Sequence, residues 1–166
     1  MRVGVLKEIK VHEYRVGLTP DAAREFVAAG HEIAIETGAG AGIGASDAAY
    51  AAVGAKIAAA AAEIFANSEL IVKVKEPQPS EWVQLCKGQI LFAYLHLAPD
   101  PRQAEGLMKS GCTAVAYETV VGPDGVCLPL LAPMSEVAGR LAIEAAASAL
   151  KAHSGGRGML LGGVPG

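Results

Sequence analysis

Residues 90 to 100 read ILFAYLHLAPD. The first six are apolar on both faces that a strand presents, because Ile90, Phe92 and Tyr94 alternate with Leu91, Ala93 and Leu95. A strand covered on both sides belongs to a parallel sheet sandwiched between helices. Four more runs share this character: RVGVL (2–6), EIAIE (32–36), LIVKV (70–74) and TAVAYE (113–118). Helical patterns separate them. TPDAAREFVAAG is the clearest: Thr19 can cap the first turn, Pro20 suits the first helical position, Asp21 favours the dipole and Gly30 permits a left-handed exit. SDAAYAAVG, AAAAAEIFANS, SEWVQLCKG and DPRQAEGLMKSG repeat the pattern. Strand and helix in alternation predict an α/β fold with an open, mostly parallel sheet and flanking helices.

The whole chain is consistent with this reading. Its 166 residues are 52% hydrophobic and 19% charged, enough to bury a core in one domain or slightly more. Fourteen basic residues against 17 acidic give a net charge of -3, which favours neither nucleic acid nor an anionic membrane as partner. Cys86, Cys112 and Cys127 are odd in number and widely spaced, as expected of reduced thiols in a cytosol, and no metal site is expected. The N-terminus lacks the pattern of a signal peptide, and the longest apolar tract, Ile57 to Ala62, is too short to span a bilayer. A cytoplasmic protein is expected.

Beyond residue 119 the character changes. VVGPDGVCLPLLAP (120–133) carries a Pro-Asp-Gly turn without helical period and reads as a hairpin or linker. SEVAGRLAIEAAASALKAH (135–153) then reads as a long helix capped by Ser135, with no following sheet to cover.

GAGIGA (40–45) satisfies a loosened GxGxxA dinucleotide pattern between a strand and a helix. The acidic residue expected about 20 positions later at the end of the next strand is missing, so a flexible turn is the preferred reading. The polar residues near the strand ends point further, since ligands of open α/β sheets bind beyond the carboxyl ends of the strands. Arg15 lies in the loop after strand 2–6, Lys75 ends strand 70–74, His96 ends strand 90–95 and Glu118 ends strand 113–118. An arginine can hold a carboxylate through two parallel hydrogen bonds. Lys73 and Lys75 share a strand face, and an ammonium there needs a charged ligand, an acidic neighbour or solvent; Glu76 is one candidate partner for Lys75. For His96 the residues leave two readings open, a neutral core imidazole or a proton-transfer group at the rim. Phe92 and Tyr94 are expected in the core.

The blocks RVGVLKEIK with EYRVGLTP, HEIAIETGAGAG, LIVKVKEPQP, ILFAYLHLA, AYETV, LPLLAPMSEVAGR and GGRGMLLGGVPG together resemble the N-terminal half of the bacterial L-alanine dehydrogenase family. The resemblance runs the length of the chain. It implies NAD-dependent oxidative deamination of L-alanine to pyruvate and ammonia by a homo-oligomer, commonly a hexamer. Carried over by motif, Arg15 and Lys75 would bind the substrate, His96 would be catalytic, and Ser135 would approach the cofactor. It further implies a substrate domain over 1–133 and, from 134 to 166, the first helix of a truncated Rossmann-type NAD-binding domain. Leu6 stands where that family usually has proline, and KVHEY replaces an asparagine-rich turn, so the loop carrying Arg15 is expected to differ. The family continues beyond GGVPG into the dinucleotide fold, and the isolated chain is expected to show no NADH-dependent amination of pyruvate. Two other readings are a non-catalytic fragment that binds a carboxylate or docks on intact subunits through Val137, Leu141 and Ala145, and a transhydrogenase alpha-like component.

Overall fold

A computed structural model describes residues 1–164. By packing, the chain comprises two units, Met1–Thr119 and the residues from Val120 onward. The first holds the sheet: β1 (Arg2–Val5), β2 (Glu32–Glu36), β3 (Lys56–Ala58), β4 (Leu70–Val72), β5 (Ile90–Ala93) and β6 (Thr113–Ala116). All neighbouring strands are parallel, in the order β3-β2-β1-β4-β5-β6. The helices between them are α1 (Pro20–Ala28), α2 (Asp47–Ala52), α3 (Ala61–Asn67), α4 (Pro79–Trp82) and α5 (Pro101–Ser110).

The alternation of apolar residues divides the core in two. Ile71 packs with Leu6, Ile64, Phe65, Leu91 and Leu107, whereas its chain neighbour Val72 packs with Val3, Val5, Ala23, Ile33 and Tyr50. Adjacent strand residues point to opposite faces, so each cluster is one side of the sheet beneath its own helices. Each fully buried aliphatic side chain contributes roughly 1.5–3 kcal/mol. Leu6 is completely buried in the first cluster. Helix α1 begins as expected, with the Thr19 hydroxyl accepting from the Ala22 amide at 3.3 Å, and the chain leaves it through Gly30 at φ 84°.

Three expectations for this unit need correction. Strand β3 is absent from the sequence reading, because three residues of an alanine-rich tract have little strand propensity of their own. They are extended because β2 offers them a free edge, pairing Ala34 with Lys56 and Ile35 with Ile57, and Lys56 Nζ reaches Glu32 at 2.9 Å. Strands β1, β4, β5 and β6 stop one or two residues before the apolar runs do, although Lys73 N to the Phe92 carbonyl and Tyr94 N to the Val74 carbonyl prolong the β4–β5 ladder. The run at 80–88 yields only the short α4, started at Gln78 by a reciprocal cap with Glu81.

In the second unit the Pro-Asp-Gly segment forms a tight turn, with Gly125 N donating to the Gly122 carbonyl and Asp124 accepting from the amides of Val126 and Cys127. Helix α6 (Ala132–Ala149) follows. It starts three residues earlier than expected: Leu131 occupies the cap position, and the Ser135 amide donates to the Leu131 carbonyl at 3.0 Å. Ser135 is therefore not the cap, and its amide is not an open anion-binding donor.

The buried Tyr50 hydroxyl donates to the Leu18 carbonyl at 2.8 Å, joining α2 to the segment that enters α1. Tyr50→Phe is expected to cost about 1–3 kcal/mol by leaving that carbonyl unsatisfied. Urea denaturation checks this, and an unchanged midpoint would show the bond contributes nothing.

Candidate functional site

The strand order reverses between β1 and β4: β2 and β3 extend to one side, β5 and β6 to the other. At such a reversal successive connections leave toward opposite directions and open a crevice at the strand carboxyl ends. Arg15 stands in the connection after β1, Lys75 just beyond β4 and His96 just beyond β5.

Arg15 is held by a neighbouring acid and His96 by an acid and a ring. The Arg15 guanidinium forks onto the Glu13 carboxylate, Nε to Oε1 at 2.8 Å and the NH2 nitrogen to Oε2 at 2.5 Å, while the Arg15 amide also donates to Oε1 at 2.9 Å. These bonds hold the Glu13 carboxyl below its ordinary range against the opposing effect of burial, and the Lys75 charge lowers it further. Arg15 is in turn held more firmly protonated, first by the Glu13 bonds, with Tyr94 and Glu8 adding to the effect. Arg15 and Lys75 thus share one electrostatic neighbourhood around Glu13.

His96 is an exposed residue at φ 47°, a left-handed conformation that side chains other than glycine rarely adopt. Glu118 stabilises it. Its Oε1 accepts from the His96 amide at 2.7 Å and the Leu95 amide at 3.0 Å, while buried Gln103 donates to the Leu95 carbonyl at 2.8 Å. The imidazole stacks on Tyr94, ring centres 6.0 Å apart and planes within 10°. Tyr94 meets the edge of Tyr117 at 5.0 Å, and Tyr117 meets Phe92 at 4.2 Å. Burial raises the Tyr117 phenol well above its usual range, with Glu8 and Tyr94 acting in the same direction. Through Tyr94 the aromatic stack joins His96 to the surroundings of Arg15.

Arg15, Lys75 and His96 are therefore brought to one rim. The fourth expected member, Glu118, acts on backbone amides there. Glu76 ion-pairs with Lys10 rather than Lys75. Tyr94 is buried as expected but also forms the floor under His96, a role that alternation does not signal. Glu13 was also missed, since its function depends on a loop conformation that no periodicity encodes.

The loop at 40–45 has a structural task in the same place. A Cβ on Gly42 would overlap the Tyr14 carbonyl oxygen, so glycine lets this loop press against the backbone next to Arg15. The loop follows β2, whereas a dinucleotide fingerprint belongs to the first strand–helix turn of such a sheet.

These features define a parallel α/β domain with a basic and aromatic rim at its topological reversal. The chain belongs to the family described as alanine dehydrogenase/PNT, N-terminal domain, whose profile matches residues 4–138. It is 53% identical to the alanine dehydrogenase of Halomonas elongata and 49% identical to that of Bacillus subtilis, in each case over its whole length. It spans 44% and 43% of those proteins, corresponding to their N-terminal portion. A solved L-alanine dehydrogenase superimposes with a TM-score of 0.84 at 50% identity, covering 99% of this chain and 45% of that one. A transhydrogenase from Sinorhizobium meliloti shares the fold, with a TM-score of 0.67 at 24% identity over 71% of this chain and 35% of that one.

The Glu118 carboxyl is drawn below its ordinary range: burial opposes this, but the amides of His96 and Leu95 and the His96 charge outweigh it. A depressed folded-state pKa contributes stability above the unfolded value and loses it as pH falls through the folded one. Denaturation curves between about pH 6 and pH 3 should therefore show an acid-side decline that is shallower in Glu118→Gln. Identical pH profiles would show that the clamp carries no linked proton.

Proposed function

We propose that this chain supplies the substrate-binding part of an NAD-dependent alanine dehydrogenase, which converts L-alanine and water to pyruvate and ammonia as NAD is reduced. The observation that supports the reading is that a guanidinium, an ammonium and an imidazole follow the carboxyl ends of the adjacent parallel strands β1, β4 and β5, where the strand order reverses. Arg15 and Lys75 hold the substrate carboxylate and polarise the pyruvate carbonyl, and His96 exchanges a proton as the carbinolamine and imine form and collapse. An imidazole suits this work because its ordinary pKa lies near neutrality.

The substrate domain comprises residues 1–133, and 134–166 begin the NAD-binding domain. Two places that could have held the cofactor's pyrophosphate do not fit it: the connection after β1 lacks a glycine fingerprint, and Gly42 is committed to seating the Tyr14 carbonyl. Ser135 is the residue through which this chain approaches the cofactor, by its exposed side chain rather than its bonded amide. No step of the reaction is routed through that contact. A cytoplasmic homo-oligomer, a hexamer as in the family, is the assembly proposed. The exposure of Val137, Leu141 and Ile143 on α6 supports burial against further protein.

Titration of the isotopically labelled chain with pyruvate tests the substrate site by NMR. Saturable shifts are expected at Arg15, Lys75 and His96, with affinity falling about tenfold or more in Arg15→Lys, where the bidentate fork is lost. Absence of saturable shifts would remove the substrate reading. With this sequence in a complete enzyme, His96→Ala should lower kcat by about 10²–10⁴ without lowering Tm. Near-normal kcat would exclude His96 from proton exchange.

A further inference from the structure

Below the rim lies a charged cluster that the proposed chemistry does not use. The Lys73 side chain is 1% exposed, and its Nζ lies 2.8 Å from Glu81 Oε1 and 3.3 Å from Glu8 Oε2 on carboxylates that are themselves 5% and 2% exposed. The remaining oxygens are also occupied: Glu8 Oε1 accepts from the Val74 amide and Glu81 Oε2 from the Gln78 amide, both at 2.7 Å. One ammonium thus ties together the connection after β1, the end of β4 and the start of α4.

Such a cluster is a poor source of stability, because desolvating three charges offsets most of their attraction. It specifies position instead. Glu8 belongs to the same connection as Arg15, and the amide that it holds is that of Val74, the residue between Lys73 and Lys75. The Val74 carbonyl accepts from the Tyr94 amide, so the constraint continues into the β5 end that supports His96.

We propose that Glu8, anchored by Lys73, is a positioning residue that sets where Arg15 and Lys75 stand relative to each other at the rim. The inference rests on the substrate-site reading for its consequence in binding, but its geometric content stands apart. Glu8→Leu removes both the charge and the acceptor, Glu8→Gln keeps an oxygen for the Val74 amide, and Ile71→Val perturbs the adjacent core alone.

The experiment measures Val74 amide exchange, the Arg15 Nε–H and Lys75 amide resonances, and the pyruvate dissociation constant in the 166-residue chain. In Glu8→Leu, Val74 exchange should accelerate and pyruvate binding weaken, each by about tenfold, the scale of one charge-assisted hydrogen bond. The Arg15 and Lys75 resonances should move together. Glu8→Gln should restore most of each, and Ile71→Val should lower stability while leaving all three unchanged. Should Glu8→Leu fail to fold, Glu8→Ser, which leaves room for water, carries the same comparison. Undiminished Val74 protection, unmoved Arg15 and Lys75 resonances, equal damage from Glu8→Gln, or equal loss of affinity in Ile71→Val would each overturn the proposal. If the unaltered chain binds no pyruvate, the substrate reading fails by itself, and the positioning role is decided by Val74 exchange and the Arg15 and Lys75 resonances.

Discussion

An ammonium removed from water at the carboxyl edge of a sheet needs opposite charge within reach, and that requirement organises this end of the domain. Lys73 finds two carboxylates, contributed by segments 65 and eight residues away. The three groups meet where β1 and β4 lie side by side and the strand order reverses. A reversal leaves the adjoining connections without a common helix layer to pack on, so polar ties there do what apolar packing does elsewhere. The rim above inherits its shape from them.

Acidic groups also govern the basic side chains of the rim itself. Glu13 orients the Arg15 guanidinium by occupying one edge of its fork, which restrains the side chain and would also compete with the carboxylate proposed to bind there. Glu118 accepts from two backbone amides, and so keeps His96 in a left-handed conformation that its Cβ disfavours. Such strain is tolerated where surrounding bonds over-determine it. The imidazole is thereby projected from the strand end while its ring rests on Tyr94.

The glycine-rich loop illustrates how a short pattern misleads without its context. Glycine permits close approach of any backbone or ligand, and here the approaching group is the Tyr14 carbonyl. Position in the topology separates the two uses: the loop leaves the second strand, not the first. The 24% identical transhydrogenase with the same fold demonstrates the architecture alone.

The covered parallel sheet, the helices with strong caps, and the residues at the strand ends were legible from local chemistry. Runs apolar on both faces require a covered sheet, and Thr19, Pro20 and Gly30 punctuate a helix wherever they occur together. The sequence by itself therefore determined a parallel α/β fold and nominated Arg15, Lys75 and His96. Only the tertiary structure decided that Lys56–Ala58 is a strand, that Ser135 lies inside its helix, and that Glu118 serves amides while Glu76 pairs with Lys10. The physical reason is the same in each case. An edge strand borrows its hydrogen bonds from a neighbour, a cap depends on where the first turn closes, and a charge takes its partner from whatever folding brings near, all of which involve residues that spacing along the chain does not connect.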